Sequence, residues 1–259
     1  LAARALGSLL CCKQEEREWK EIQYSNLWNE ESGILTALKL SYLHLPSHLK
    51  RCFSYCTIIP MDYEFKEEEL VLLWMAEGLI EQPIVGDQME DLGRKYFHEL
   101  VSRSFFQPLS GNKSLFIMHD LINDLAQDVA GDKCFRVENN LEGGRQSKIS
   151  IKARHASYVG SYIDGIKKFK VFDDAKCLRT FLQFFPLSFH ATRYLFHDLL
   201  PKLKCLRELR LHYNSMDELP DSMGDLKHLR YLDVSGSRIT RLPDAVVTLY
   251  NLQVLFLKF

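Results

Sequence analysis

The chain has almost no excess of charge: 33 Lys and Arg stand against 34 Asp and Glu, a formal net charge of −1. A balance that close gives no global field to gather nucleic acid or an anionic membrane. A run of about 20 apolar residues, the length of a membrane span, does not occur. Leu1 to Cys12 is apolar, but it is too short to span and lacks the layout of a signal peptide. Seven cysteines are an odd number with no framework spacing. This argues against a disulfide-stapled secreted domain and for free thiols in a reducing, cytoplasmic setting. No Gly-x-Ser-x-Gly elbow is present, so nothing supports a nucleophilic triad. No glycine-rich loop ends in Gly-Lys-Ser/Thr, so the chain has no phosphate cradle of its own. An enzyme is therefore not expected. His44, His48, Cys52 and Cys56 fall four apart, but Pro46 interrupts them, and ligands stacked along one axis do not converge on a tetrahedral zinc. No metal is expected, and both cysteines are expected to be buried packing.

What is present is a globular composition, 46% hydrophobic and 26% charged over 259 residues. The charge is uneven: 61–100 is rich in Asp and Glu, and 146–210 in Lys and Arg. The first half reads as helices. Residues 1–10 have helix-forming composition, and 15–21 form a charged amphipathic helix around Trp19. Ile34, Leu35, Leu38, Tyr42 and Leu43 recur at helical spacing until Pro46, with Ser47 placed to cap the next helix. That helix, 48–57, carries Leu49, Cys52, Phe53 and Cys56 on one side. The run 66–79 has acids in its first turn and Gly78 near its end, and 89–103 carries Leu92, Tyr96 and Leu100 inward. Phe105-Phe106 and Leu115-Phe116-Ile117 read as a hairpin across Ser110 to Lys113. Helices followed by a two-stranded wing suggest a winged helix, closed by Met118. An amphipathic helix then follows over 119–130, with Leu121, Ile122, Leu125 and Val129 on its apolar face.

His119 lies at that strand-to-helix junction, where outward N–H groups and the helix dipole favour an anion. Its ring N–H is a suitable donor to one. Asp120 beside it reads as a local cap, because a carboxylate next to a phosphate is repulsive.

After a polar, glycine-containing stretch the period changes. Leu206-x-x-Leu209-x-Leu211 recurs 23 residues later as Leu229-x-x-Leu232-x-Val234, and again as Leu252-x-x-Leu255-x-Leu257. Pro220 and Pro243 keep the period, and Asn214 takes the asparagine slot of a leucine-rich repeat. Cys177 to Leu182 reads as an irregular earlier turn. Leucines pointing inward leave Glu208, Arg210 and His212, then Tyr231, Asp233 and Ser235, then Val254, Phe256 and Lys258 pointing outward as a candidate protein-binding surface. The fold class is therefore multidomain, mainly α and then an α/β repeat. A helical segment over 1–30 and a winged helix over 31–131 lead through a linker at 132–150 to a solenoid over 151–259. An array stopping after a strand, and a chain beginning at Leu1, suggest a fragment.

Leu40-Ser41-Tyr42 with Leu45-Pro46 opens a set of motifs in this chain. Leu49-Lys50-x-Cys52-Phe53-x-Tyr55-Cys56 with Pro60, then 70–80, then Met118-His119-Asp120, continue it ahead of the repeats. In that order they resemble the plant intracellular immune receptors of the coiled-coil, NB-ARC, leucine-rich-repeat type. Leu1-Ala2 resembles the end of that family's GLPLA motif. The resemblance implies that 1–30 closes the helical subdomain of the NB-ARC module and 31–131 is its winged-helix subdomain. It implies a switch that holds ADP at rest and exchanges it for ATP on activation, with magnesium held by regions missing here. His119 would then contact an ADP phosphate, and Asp120 would set local geometry. The implied partners are the NB-ARC nucleotide domain, a pathogen effector or guarded host protein, and further copies on activation. DNA is not expected from the residues themselves, because the candidate helices of the winged helix are acidic or apolar, with no basic stripe to neutralise phosphates. For this stretch alone no cofactor is expected. The alternative reading is a protein-interaction fragment that binds no nucleotide measurably.

Overall fold

The computed structural model describes residues 2–11, 15–25, 28, 33–82, 86, 88–138, 149–160, 166–212 and 217–257. The chain divides into two compact units. One comprises Leu1–Cys56 and Met61–Val129, the other Thr57–Pro60 and Ala130–Phe259.

The first unit is helical: α1 (Ala2–Cys11), α2 (Glu16–Gln23), α3 (Gly33–Leu43), α4 (Ser47–Tyr55), α5 (Glu67–Glu77), α6 (Met89–Ser102) and α7 (Asp120–Ala130). Ser47 was expected to cap α4. It is instead the helix's first residue, and Pro46 holds the cap position without a side-chain bond, since a fixed φ near −65° already suits a helix start. Gly78 closes α5 in the left-handed conformation at φ 84°, and the amides of Gly78 and Leu79 both bond the Trp74 carbonyl. Gly93 on α6 faces Val71 of α5 so closely that an added Cβ would lie 2.6 Å from its Cγ1.

The wing has three strands rather than two. β1 (Phe65–Lys66), β2 (Gln107–Leu109) and β3 (Asn112–Ile117) form an antiparallel sheet in the order β1-β3-β2. Phe65 pairs with Phe116, and a two-residue strand is too short to leave a periodic signal. Phe105 and Phe106, expected inside the hairpin, precede it. Ser104 adopts φ 64°, and the Phe105 amide bonds back to the Leu100 carbonyl at 3.0 Å. The chain thus leaves α6 with both rings driven into the core. Phe97 is the hub there, 5.4 Å from Phe106, 4.8 Å edge-on from Phe116 and 6.4 Å from the buried Trp74. Such pairs add to simple burial.

The second unit is a parallel sheet in sequence order: β4 (Cys134–Glu138), β5 (His155–Val159), β6 (Thr180–Gln183), β7 (Glu208–Leu211), β8 (Tyr231–Asp233) and β9 (Val254–Phe256). Strands β4 to β8 of this solenoid each contribute an apolar residue to one continuous core, which contains Val137, Ala156, Phe181, Leu209 and Leu232. Beside β9, Leu252 and Leu257 pack on it, and Leu255, expected to point inward, is exposed because no further strand among the described residues covers it. The stretch expected as a linker over 132–150 supplies β4, paired residue for residue with β5. Charged neighbours hide its apolar pair: Val137 is buried and Phe135 packs on the core. Residues 139–148 of that stretch lie outside the described residues. Between β6 and β7 the repeat is longer, and α8 (Phe189–Tyr194) occupies the added length. Among the described residues, no helix is long and apolar enough to cross a membrane.

Candidate functional site

Met118 and His119 divide the junction before α7 between them. Met118 is buried and anchors the end of β3, while His119 and Asp120 are exposed. The His119 carbonyl accepts the amides of Ile122 at 2.8 Å and Asn123 at 2.9 Å. His119 Nδ1 accepts the Leu121 amide at 3.3 Å. His119 therefore caps α7, which moves the capping role expected of Asp120 back by one residue. Asp120 is the first residue of the helix, where its charge suits the positive end of the dipole. The cap also selects the tautomer. A neutral imidazole that accepts at Nδ1 carries its proton at Nε2, so the exposed ring offers an N–H donor beside a helix start. Ile122, Leu125 and Ala126 hold the buried side of α7.

The cysteines and aromatics near Pro46 have structural roles. Cys52 is fully buried, burial pushes its thiol pKa upward, and Cys56 Sγ bonds the Cys52 carbonyl at 3.2 Å. His48 stacks on Tyr96 at 4.4 Å.

The outward positions of the solenoid strands are not the open surface that alternation suggested. Glu208, Arg210, Tyr231 and Asp233 are all buried, at 0%, 2%, 1% and 5% relative exposure. They link one strand to the next. Thr180 Oγ1 donates to Glu208 Oε2 at 2.7 Å, and His155 Nδ1 lies 3.0 Å from the same hydroxyl. That hydroxyl has a single proton, which goes to the carboxylate, so His155 must be the donor. Arg210 Nη2 donates to the Tyr231 hydroxyl at 3.3 Å, and Arg210 Nε lies 3.5 Å from Asp233 Oδ2. His212 Nε2 is 2.7 Å from that oxygen, and the Ser235 amide caps Asp233 Oδ1 at 3.0 Å. Alternation decides which face a side chain takes but says nothing of what covers that face. His212, Ser235, Val254 and Phe256 are half-buried, and the Phe256 ring leans on Tyr231 at 5.8 Å. Lys258 and Asn214 lie outside the described residues.

Two titrating groups in this ladder are displaced in the same direction. Burial first, and then the charges of Arg179, Arg154, Arg207 and Lys133, lower His155 to about 3. Burial alone would raise Asp233. The His212 hydrogen bond, the charges of His212 and Arg210, and the Ser235 amide outweigh it and hold Asp233 at about 2. Arg136 is a residue the sequence did not single out: its Nη1 donates to the carbonyls of Thr57 at 3.1 Å and Ile59 at 2.7 Å. A lone arginine in a polar stretch carries no signal of such a role.

Two family models match this chain: the disease resistance protein winged helix domain over residues 58–126 and a leucine-rich repeat region over 188–259. A disease resistance protein of Arabidopsis thaliana is 43% identical across 99% of this chain. The chain belongs to the plant disease resistance family. An RPP13-like disease resistance protein of the same plant is 38% identical over 98% of the chain. The RGA1 disease resistance protein of Solanum bulbocastanum is 38% identical over 92%. The aligned region covers 18%, 24% and 21% of those three proteins, so the chain spans about a fifth of the length of the curated relatives it matches. The winged helix and the repeats are thereby assigned to the two units already described.

Proposed function

We propose that this chain forms part of a nucleotide-dependent switch in plant immunity, in which the winged helix contributes a latch to an ADP-bound resting state. Its relatives are disease resistance proteins. The observation that carries the reading is His119: exposed, capping α7 through Nδ1, and so presenting Nε2–H at a helix start. That donor and the α7 dipole fit one phosphate oxygen of a diphosphate. When bound, ADP would supply the anionic group that draws winged helix and nucleotide domain together. Asp120 would orient the junction from the first turn without touching the phosphate. A single donor is a latch and not a binding site, so the phosphate cradle and magnesium ligands belong to sequence this stretch does not carry. The repeats act in the same reading as the part that restrains the switch and receives recognition, in a cytoplasmic receptor.

Titration calorimetry with ADP is the test, performed on this chain and on a chain extended upstream through the nucleotide domain. The extended protein should bind ADP, and His119→Ala should weaken it by about tenfold, the worth of one charge-assisted hydrogen bond. Equal ADP affinity for the extended protein and its His119→Ala variant would overturn the latch. A second reading, a protein-interaction module with no nucleotide role, is favoured only at the half-buried His212, Ser235, Val254 and Phe256.

A further inference from the structure

Strands β5 to β9 are each entered through the same tight turn. The amide of Ala153 bonds the carbonyl of Ser150, Leu178 bonds Ala175, Leu206 bonds Leu203, Leu229 bonds Leu226 and Leu252 bonds Leu249, all between 2.9 and 3.1 Å. The third residue of these turns is, in order, Lys152, Cys177, Cys205, His228 and Asn251. Two consecutive turns thus place a cysteine at the same position. Thr180 and Glu208, three residues beyond each, are paired across β6 and β7, and Arg207 and Glu208 both bond the Arg179 carbonyl. The register therefore stacks Cys177 beside Cys205 at about the inter-strand spacing, ~4.8 Å between Cα atoms. That lies within the range that admits a disulfide, roughly 4.4–6.8 Å.

A second observation shows where side chains at this position reach. Asn251 Nδ2, the equivalent of Cys205 two repeats on, donates to the carbonyl of Lys227 in the preceding turn at 2.7 Å. A side chain here spans the gap to the turn before it. For Cys205 that turn holds Cys177. Both thiols are free and exposed, and both lie among cations: Lys176 and Arg179 flank one, Lys204 and Arg207 the other.

We infer that Cys177 and Cys205 form a dithiol modification site that an anionic disulfide oxidant of the glutathione class converts to an inter-repeat disulfide. The thiolate of one cysteine attacks the oxidant's S–S bond, forming a mixed disulfide and releasing one glutathione. The second cysteine then attacks the mixed disulfide at the protein sulfur, forming Cys177–Cys205 and releasing the other glutathione. Two protein thiols are oxidised and one glutathione disulfide is reduced, and the two thiol protons leave with the two glutathiones. The neighbouring cations draw the anionic oxidant. The bond staples the turns before β6 and β7 and closes the longer repeat, whose exposed Phe185 and Phe189 lie inside the loop.

The full chain, incubated with graded ratios of oxidised to reduced glutathione and then alkylated, tests this by peptide mass spectrometry. A chain lighter by two hydrogens should appear, with the Cys177 and Cys205 peptides joined. That pair should exceed any link involving Cys11 or Cys134 by at least about tenfold, because neighbouring thiols act at an effective concentration no distant pair matches. Cys177→Ser and Cys205→Ser, both at exposed turn positions, should stop at the mixed disulfide on the remaining cysteine. Stable double glutathionylation of the unsubstituted chain, or links distributed among all exposed cysteines, would overturn the inference. Phenylarsine oxide, a dithiol reagent, gives an independent reading: it should protect both cysteines from alkylation together, and protection of neither, or of one alone, refutes the pairing.

Discussion

His155 should make the solenoid acid-labile over a defined window. Its imidazole donates to Thr180, and its pKa is lowered from 6.5 to about 3 by burial and then by Arg179, Arg154, Arg207 and Lys133. In the unfolded chain the same ring titrates near its ordinary value. Between the two values the unfolded state holds a proton that the folded state refuses, so stability rises with pH there, by about 1.4 kcal/mol per unit for one proton. The contribution is complete above pH 6.5 and is lost as pH falls towards 3. From pH 7 to pH 5 the loss is about 2 kcal/mol, a large part of the margin of an ordinary domain. Because Lys133 and Arg154 are exposed, their share is screened by salt, and about 1 M salt should make the window shallower. The assay is hydrogen exchange of the amides of β5 and β6 across that range, which reports the solenoid without assuming that both units unfold together. His155→Gln keeps a donor for Thr180 and should flatten the pH dependence by about 2 kcal/mol relative to the unsubstituted chain. An identical pH profile for the two proteins would refute the reasoning, since the folded imidazole would then be taking its proton freely.

Other consequences are as direct. Gly93→Ala places a methyl group 2.6 Å from Val71 Cγ1, between two helices whose facing residues are buried, and should cost about 1–3 kcal/mol by overpacking, measured by urea unfolding of the first unit. Asp233→Ala removes the partner of His212 and Ser235 and a carboxylate 3.5 Å from the buried Arg210. It should destabilise the solenoid by about 3 kcal/mol, seen as lost exchange protection in β7 and β8, whereas a residue reserved for an external partner would leave that protection unchanged. Below pH 3.8 the same carboxylate becomes a further source of acid lability. Its folded pKa is depressed to about 2, so its contribution is present above 3.8 and lost as pH falls towards 2.

The three 23-residue copies were legible because a solenoid repeats its core contact at fixed spacing, and the leucines that mark it are buried: Leu206, Leu209, Leu229 and Leu232 each at 0%. Cys177 to Leu182 was legible as an earlier turn for the same reason. β4 was not, because one buried valine and one packed phenylalanine among Arg136 and Glu138 make no pattern that distinguishes a strand from a polar connection. The outward ladder was half legible. Residue numbers alone place Glu208, Arg210, Tyr231 and Asp233 on one face, but their burial depends on what neighbouring strands and loops supply. At the junction, the motif Met118-His119-Asp120 was visible while its division of labour was not. Which of two adjacent polar residues caps a helix is settled by where the residue that follows the strand is anchored, here the buried Met118.

By itself the sequence determined the helical first half, the repeat architecture and the family, since these rest on periodicity and on short motifs in a fixed order, both local properties of the chain. Only the tertiary structure decided that the wing has a third strand, that His119 and not Asp120 caps α7, that four outward residues of the repeats brace strands, and that the turns carrying Cys177 and Cys205 lead into paired strands. Those features depend on register and on contacts between residues far apart in the chain, and spacing along a single strand carries no record of its neighbour.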